Sequence, residues 1–141
     1  MDDKKICIIR CVNNEQYVLE QDFYLSRLIV PEGYTLDILS VTDATSMCSG
    51  YNEAMRASDA KYKIYMHQDV FLFKEDFLEI MLNIFSNPDI GMIGLVGTKK
   101  LDTTCVPWFS ERRGNIVIGF PEKVDDPEKL MDFKGDYDEV S

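Results

Sequence analysis

The feature that most constrains the fold is a run of apolar residues near the start of the chain, Ile6-Cys7-Ile8-Ile9. A strand with one face in water alternates between apolar and polar residues, whereas this run is apolar at every position. Such a run is typical of a parallel strand that helices cover on both faces. Because Asn13 and Asn14 interrupt the pattern, the first strand is expected at Ile6–Val12.

Three later segments have the length and composition of further strands. They are Leu36–Val41, Tyr62–Met66 and Met92–Val96. Helical segments separate them, so the order is β-α-β-α-β-α-β with short connections. That order predicts an α/β domain with a mainly parallel sheet and right-handed crossovers.

The helices between the strands are predicted from apolar residues at helical spacing. The first presents Tyr17, Val18, Tyr24, Leu25 and Leu28 on one face and is expected to end at Pro31 and Gly33. The second is opened by Ser49-Gly50 and continues through Tyr51, Ala54 and Met55. The third shows Phe77, Ile80, Met81, Ile84 and Phe85, and is expected to bury the first four of these and to end at Pro88.

The pattern is less regular after about Thr98. A loop is expected at Trp108-Phe109, a strand within residues 115–120 and an acidic stretch over residues 122–132. Asp136–Val140 has the composition of a strand that is just beginning. The whole chain, residues 1–141, is expected to form one domain.

Charge and composition exclude several classes of protein. The formal net charge of -10 disfavours a nucleic acid or an anionic membrane as the partner, because both carry the same sign of charge. The apolar N-terminal run is too short for a signal peptide or a membrane span. The four cysteines, Cys7, Cys11, Cys48 and Cys105, lack zinc-ligand spacing and are expected to be buried, reduced thiols of a cytoplasmic protein.

Polar residues follow the carboxyl end of each predicted strand, where open parallel sheets bind their ligands. These residues are Arg10 to Glu15, Thr42-Asp43, His67-Gln68-Asp69 and Gly97-Thr98. The glycines at 91, 94 and 97 lie within a predicted strand, so they do not form a phosphate loop. Glu111-Arg112-Arg113 is expected in a solvated loop. The chain has one histidine, and no second histidine is present to build a hydrolase triad with a serine or cysteine, so a hydrolase is disfavoured.

His67-Gln68-Asp69 is the most informative of these polar segments. His67 and Asp69 would project to one side if the strand geometry continued through them, and an imidazole with a carboxylate suits Mn²⁺ or Mg²⁺ on a diphosphate. The alternative is a strand end with a capping aspartate and a hydrogen-bonded histidine. The residues alone leave both interpretations open.

The segments Ser46–Met55 and Ser58–Val70 resemble a bacterial branch of the family 2 glycosyltransferases, and Cys11–Glu15 and Ile90–Gly94 fit the same branch. The resemblance covers about residues 5–100. It implies a GT-A-like (Rossmann-like) three-layer fold, a nucleotide-sugar donor with a UDP-sugar favoured, and an unidentified saccharide acceptor.

The resemblance also implies roles for particular residues. Asp69 would be the metal ligand, and His67 stands where the family has the first acidic residue of its Asp-x-Asp motif, near the ribose. One carboxylate holds Mn²⁺ or Mg²⁺ less firmly than two. Asp43 matches the acidic position that contacts the base or ribose, and Asn13 begins the nucleotide-contacting loop. Asn52 lies on the helix before the nucleotide-sugar strand.

The family's catalytic base and acceptor-binding strands lie beyond the matched segment, so no catalytic residue is assigned. The sequence is interpreted as a truncated donor-binding half that does not transfer sugar alone and pairs with a second copy through its exposed edge. Three alternatives stay open: a sugar transferase, a non-catalytic nucleotide-binding or interaction module, and a nucleotidyltransferase. The last would need a basic, glycine-rich loop that residues 10–15 do not supply.

Overall fold

The computed structural model describes residues 1–98, 100–101 and 103–105, together with the backbone of residues 112–113, 116–118 and 131–133. The chain divides into two compact units, Met1–Asp89 and Ile90–Ser141. The first unit contains the parallel sheet and three helices. The predictions for Trp108-Phe109, for most of residues 122–132 and for Asp136–Val140 lie outside the described residues.

A three-stranded parallel sheet forms the centre of the first unit. Its strands are β1 (Asp2–Cys11), β2 (Thr35–Val41) and β3 (Ala60–His67), in the order β2-β1-β3. Ile8 of β1 lies beside Ile38 of β2 and Ile64 of β3. This arrangement confirms three of the four predicted strands and the α/β class with a GT-A-like, Rossmann-type sheet.

The apolar run of β1 is the core of the unit. Ile6, Cys7, Ile8 and Ile9 are all fully buried. Since successive residues of a strand point to opposite faces, this burial requires cover on both sides of the sheet. The run is therefore apolar at every position because both faces of β1 are covered, as the sequence predicts.

Two helices supply that cover from opposite faces. Helix α1 (Glu15–Leu25) contacts the Arg10 side chain through Gln21, and helix α2 (Met47–Ala57) approaches Cys11 through Gly50. Arg10 and Cys11 are neighbours on β1, so they project to opposite faces. The sheet between α1 and α2 gives the three-layer architecture.

Helix α1 ends earlier than the sequence predicts. The N–H of Ser26 donates to the carbonyl of Asp22, and the chain then turns at Arg27, whose N–H donates to the carbonyl of Tyr24. Pro31 and Gly33 belong to a separate turn in which Gly33 has φ 76°. The proline and glycine signals therefore marked that turn, and Leu28 is buried beyond the helix rather than within it.

Helix α2 begins two residues before the predicted Ser49. Ser46 and Ser49 form a capping box, in which the Ser46 hydroxyl accepts from the N–H of Ser49 and the Ser49 hydroxyl accepts from the N–H of Ser46. Such reciprocal bonds satisfy donors that would otherwise be unpaired at a helix start. Ser46, rather than Ser49-Gly50, therefore sets the start of the helix.

Helix α3 (Phe77–Phe85) has the predicted bounds but a rotated buried face. Leu78 and Met81 are its buried residues, whereas Phe77 and Ile80 are half-buried and Ile84 is 39% exposed. The buried face is centred on Leu78 and Met81, whereas the predicted face included Phe77 and Ile84. The prediction is thus right for Met81 and wrong for Ile84.

The fourth predicted strand, Met92–Val96, is not a strand. Met92 is 88% exposed, and strand pairing begins only at β4 (Gly97–Thr98), which is antiparallel to β5 (Arg112–Arg113). Glycine weakens a strand because it loses more backbone freedom on ordering and has no side chain to pack. Gly94 lies within this segment and Gly91 directly before it.

Two more short strands occur in the second unit. β6 (Ile116–Ile118) pairs antiparallel with β7 (Met131–Phe133). The strand expected within residues 115–120 is confirmed over β6. The strand β5 corrects the prediction that Arg112 and Arg113 lie in a loop.

All four cysteines were expected to be buried, and three of them are not. All four are free thiols, but Cys7 alone is fully enclosed, Cys11 is half-buried, and Cys48 and Cys105 are exposed. Cys48 lies in the first turn of α2, whose outer side faces solvent.

In the part of the chain that the structure describes, no helix combines the length and apolar character needed to cross a bilayer.

Candidate functional site

The three parallel strands end at the same level of the sheet. Cys11 at the end of β1 lies beside Val41 at the end of β2 and beside His67 at the end of β3. The loops that follow these strands therefore start from one edge. This register brings the loops carrying Asn13, Asp43 and Asp69 to the same side of the unit.

Gln68 joins two of these loops directly. Its side-chain oxygen accepts from the backbone N–H groups of Asn13 (2.9 Å) and Asn14 (3.0 Å), and its nitrogen donates to the side-chain oxygen of Asn13 (2.5 Å). Asn14 in turn caps α1 by accepting from the N–H of Gln16. One glutamine side chain thus connects the end of β3 with the start of α1.

The sequence did not single out Gln68, which was only the central residue of a tripeptide. A glutamine in a polar segment carries no periodic signal, and its partners lie 54 and 55 positions away along the chain. The one available hint was its place at a strand end, next to two residues already selected. The contact itself depends on the pairing of β1 with β3.

Asp43 and Asn52 occupy the neighbouring elements. Asp43 is exposed in the loop after β2 and has φ 56°, a left-handed conformation that aspartate tolerates better than most residues. Asn52 is exposed on α2. Among the residues that the structure describes, no hydrogen bond links Asp43 or Asn52 to the Asn13–Gln68 pair.

His67 and Asp69 are both exposed, but they are not consecutive positions of one strand face. β3 ends at His67, and the N–H of Val70 donates to the carbonyl of His67 at 3.2 Å, which closes a turn. The strand geometry therefore does not continue to Asp69, and the premise that parity places both side chains together is wrong. Within the described residues, no three His, Cys, Asp or Glu side chains cluster as a metal site.

Tyr51 fastens α2 to the end of β3 beside this turn. Its hydroxyl donates to the carbonyl of Met66 at 3.0 Å, and its ring packs edge-on against Tyr65. Burial raises the pKa of Tyr51, and the negative charges of Cys11 and Asp69 raise that pKa further.

Arg10 does not belong to the open edge, although the sequence placed it among the polar residues there. It is only 4% exposed and extends into the layer between sheet and α1. Its guanidinium donates to the hydroxyl of Ser40 (2.8 Å) and to the side-chain oxygen of Gln21 (3.0 Å), and it pairs with Asp22 at 2.7 Å. Arg10 is therefore a buried structural cation.

Gly50 sets the approach of α2 to the same edge. A Cβ at this position would lie 2.8 Å from the sulfur of Cys11, 3.0 Å from the Cβ of Ala44 and 3.3 Å from a methyl of Val41. Distances below 3 Å are shorter than van der Waals contact, so only glycine fits without a shift. Burial also raises the pKa of the Cys11 thiol in this contact.

Comparisons with known proteins agree with the architecture. A family model described as "Glycosyltransferase like family" matches residues 7–140, which is almost the entire chain. Neither the search of curated proteins nor that of solved structures gave a match.

Proposed function

Because the chain belongs to this glycosyltransferase-like family, we propose that the loops after β1, β2 and β3 bind a nucleoside-diphosphate sugar. A UDP-sugar is the favoured donor, and a saccharide hydroxyl is the acceptor. The observation that carries the proposal is the common level at which the three strands end, with Gln68 bonding the loop after β3 to the loop after β1. Ligands of open parallel sheets bind at this edge.

The nucleotide is assigned to Asn13, Asp43, Asn52 and His67. Asn13 offers an amide beside a helix start, and Asp43 offers a carboxylate that accepts hydrogen bonds from ribose or base groups. The left-handed backbone of Asp43 supports this role, since sparsely populated conformations are concentrated at functional sites. His67 and Asn52 supply hydrogen-bonding groups on β3 and α2.

The diphosphate is assigned to the turn that carries Asp69, together with Mn²⁺ or Mg²⁺. The single Asp69 carboxylate suits a cation that takes most of its ligands from phosphate and water, because Mg²⁺ is commonly held by one or two carboxylates plus substrate phosphates. When bound, such a cation stabilises the negative charge that develops on the departing nucleoside diphosphate. The chain's own part is to hold the Asp69 carboxylate at a fixed point of the turn.

A nucleotide-binding module without transfer activity is the second candidate. It is favoured by His67, which stands where an acidic residue is expected and leaves one carboxylate to hold the cation. The two candidates differ in turnover and share the same binding edge. An assay of sugar release from a UDP-sugar with Mn²⁺, with and without saccharide acceptors, separates them.

Nuclear magnetic resonance of the whole chain tests the binding edge. Titration with UDP and Mg²⁺ is expected to shift the amide signals of residues 12–14, 42–44 and 67–70. Replacing Mg²⁺ by paramagnetic Mn²⁺ should broaden signals most strongly around Asp69. Shifts confined to the opposite end of the sheet, near Lys5 and Asp59, would contradict the proposal.

A further inference from the structure

Gln21 is a fully buried polar residue of α1 and is not itself exposed at the proposed binding edge. Its relative exposure is 0%, although it lies in the middle of the α1 face that packs on the sheet. A buried carboxamide destabilises a fold unless its hydrogen bonds are made. Each polar atom of Gln21 is in fact used.

The surroundings fix the orientation of the Gln21 carboxamide. Its oxygen faces the guanidinium of Arg10, which only donates, at 3.0 Å. Its nitrogen faces the carbonyls of His67 and Val70, which only accept, at 2.7 Å each. A flipped amide would place like partners together at both ends, so a single orientation is stable.

The two carbonyls that Gln21 holds are the two ends of the turn that carries Asp69. The turn is closed by the bond from the N–H of Val70 to the carbonyl of His67. Gln68, within the turn, is held from the other side by Asn13 and Asn14. The backbone on both sides of Asp69 is thus fixed by glutamine side chains.

We propose that Gln21, aligned by Arg10, is a positioning residue that presents the Asp69 carboxylate to the metal–diphosphate group of the donor. This inference rests on the proposed function for its ligand and on the hydrogen bonds alone for its geometry. Arg10 contributes by holding the Gln21 oxygen, which directs both N–H groups at the turn. Without that alignment, the two hydrogen bonds from Gln21 to the carbonyls of His67 and Val70 weaken, and the turn loses its fixed shape.

Gln21→Glu is the sharpest variant. Glutamate has the same size and can still pair with Arg10, but its second oxygen would face two carbonyl oxygens and could not donate to both. We expect amide hydrogen exchange of Asn13, Asn14 and Val70 to accelerate about tenfold or more, as the loss of about one net hydrogen bond implies. Exchange at Ile8 and Ile9 in the core of β1 should stay within about twofold.

The affinity for UDP, measured with and without Mn²⁺, distinguishes a role of Gln21 in positioning Asp69 from a role in stability alone. In Gln21→Glu, the affinity for UDP with Mn²⁺ should fall about tenfold, while the affinity for UDP without metal changes less than about threefold. Asn83→Asp, which adds the same charge to an exposed position of α3, is the control and should leave both affinities unchanged.

The outcomes are distinct. Equal acceleration of exchange in the turn and in β1, or equal loss of UDP affinity with and without Mn²⁺, would overturn the inference. If the wild type binds no UDP, the proposed function fails, while the exchange measurement still decides whether Gln21 fixes the turn. If Gln21→Glu does not fold, Arg10→Lys serves instead and should loosen the same three amides, because lysine cannot reproduce the planar fork of donors.

Discussion

Strand β1 carries a cation near each of its ends, and the surroundings of the two cations differ. Lys5 lies near the amino end, its side chain is 24% exposed, and it pairs with Asp37 (2.8 Å) and Asp59 (3.1 Å). Arg10 lies near the carboxyl end, is 4% exposed, and bonds to Ser40, Gln21 and Asp22. The number of partners is similar, but the exposure to water is not.

This difference separates interactions that solvent can replace from those that it cannot. Water and salt screen the charges around Lys5, so its pairs add little to folding. Arg10 and the side-chain oxygen of Gln21 are enclosed, so removal of the guanidinium leaves that oxygen unpaired. The buried network is also the one that reaches the turn carrying Asp69. The proposed binding edge therefore depends on the interior, whereas the opposite edge depends on the surface.

Removing the buried cation should have the largest effect. Arg10→Ala leaves the enclosed Gln21 oxygen without its donor and removes the bulk of a buried side chain, so the free energy of unfolding should fall by about 3 kcal/mol. Urea denaturation followed by circular dichroism measures it. A loss below about 1 kcal/mol would show that the network contributes no more than a surface pair.

Adding one methyl group at the carboxyl edge should have the next largest effect. In Gly50→Ala, overpacking against Cys11 and Ala44 costs about 1–3 kcal/mol, against a gain of up to about 1 kcal/mol in helix propensity. A net loss of about 1 kcal/mol is expected in urea denaturation. Cys11→Ala in the same chain should recover much of it, and additive losses in the double variant would rule out the contact as the cause.

Removing the exposed cation should have a much smaller effect. Lys5→Met breaks both ion pairs and keeps the aliphatic stem, so the urea midpoint should move several-fold less than in Arg10→Ala. Addition of 0.5 M NaCl should shrink even this difference from the wild type. A shift equal to that of Arg10→Ala would remove the distinction between the two ends.

The smallest expected effect is the pH dependence at the amino end. The Lys5 ammonium, through its hydrogen bond, lowers the pKa of Asp59 below its ordinary value of 3.8. A lowered folded-state pKa gives stability that is present above 3.8 and is lost as the pH falls through the folded value. The stability difference between the wild type and Asp59→Asn should therefore be greatest at neutral pH and shrink under acid conditions. A difference that grows as the pH falls would contradict the assigned pair.

The sequence was sufficient for elements whose cause is local periodicity. The run at Ile6–Ile9 is apolar at every position because both faces are covered, and this was readable directly. The run at Met92–Val96 shows the limit, since apolar residues alone do not distinguish a buried strand from an exposed extended segment with glycines.

The common edge of the loops was predictable from the sequence, but the hydrogen bonds between the loops were not. The loops with Asn13, Asp43 and Asp69 follow from strand order, whereas Gln68 and Gln21 act through partners 46 to 55 positions away. Gln21 did leave one signal. It is a polar residue at the centre of an apolar helix face, between Tyr17 and Leu25, and such a residue must find buried partners.

The central claim is tested most directly by two aspartates that flank strand β3. Asp69 follows the end of the strand at the proposed site, and Asp59 precedes its start at the opposite edge. Isothermal titration calorimetry with UDP and Mn²⁺ should show an affinity at least about tenfold weaker in Asp69→Asn than in the wild type. The matched variant Asp59→Asn should bind as the wild type does. Equal affinity in all three proteins, or a loss confined to Asp59→Asn, would contradict a metal–diphosphate site at the carboxyl edge of the sheet.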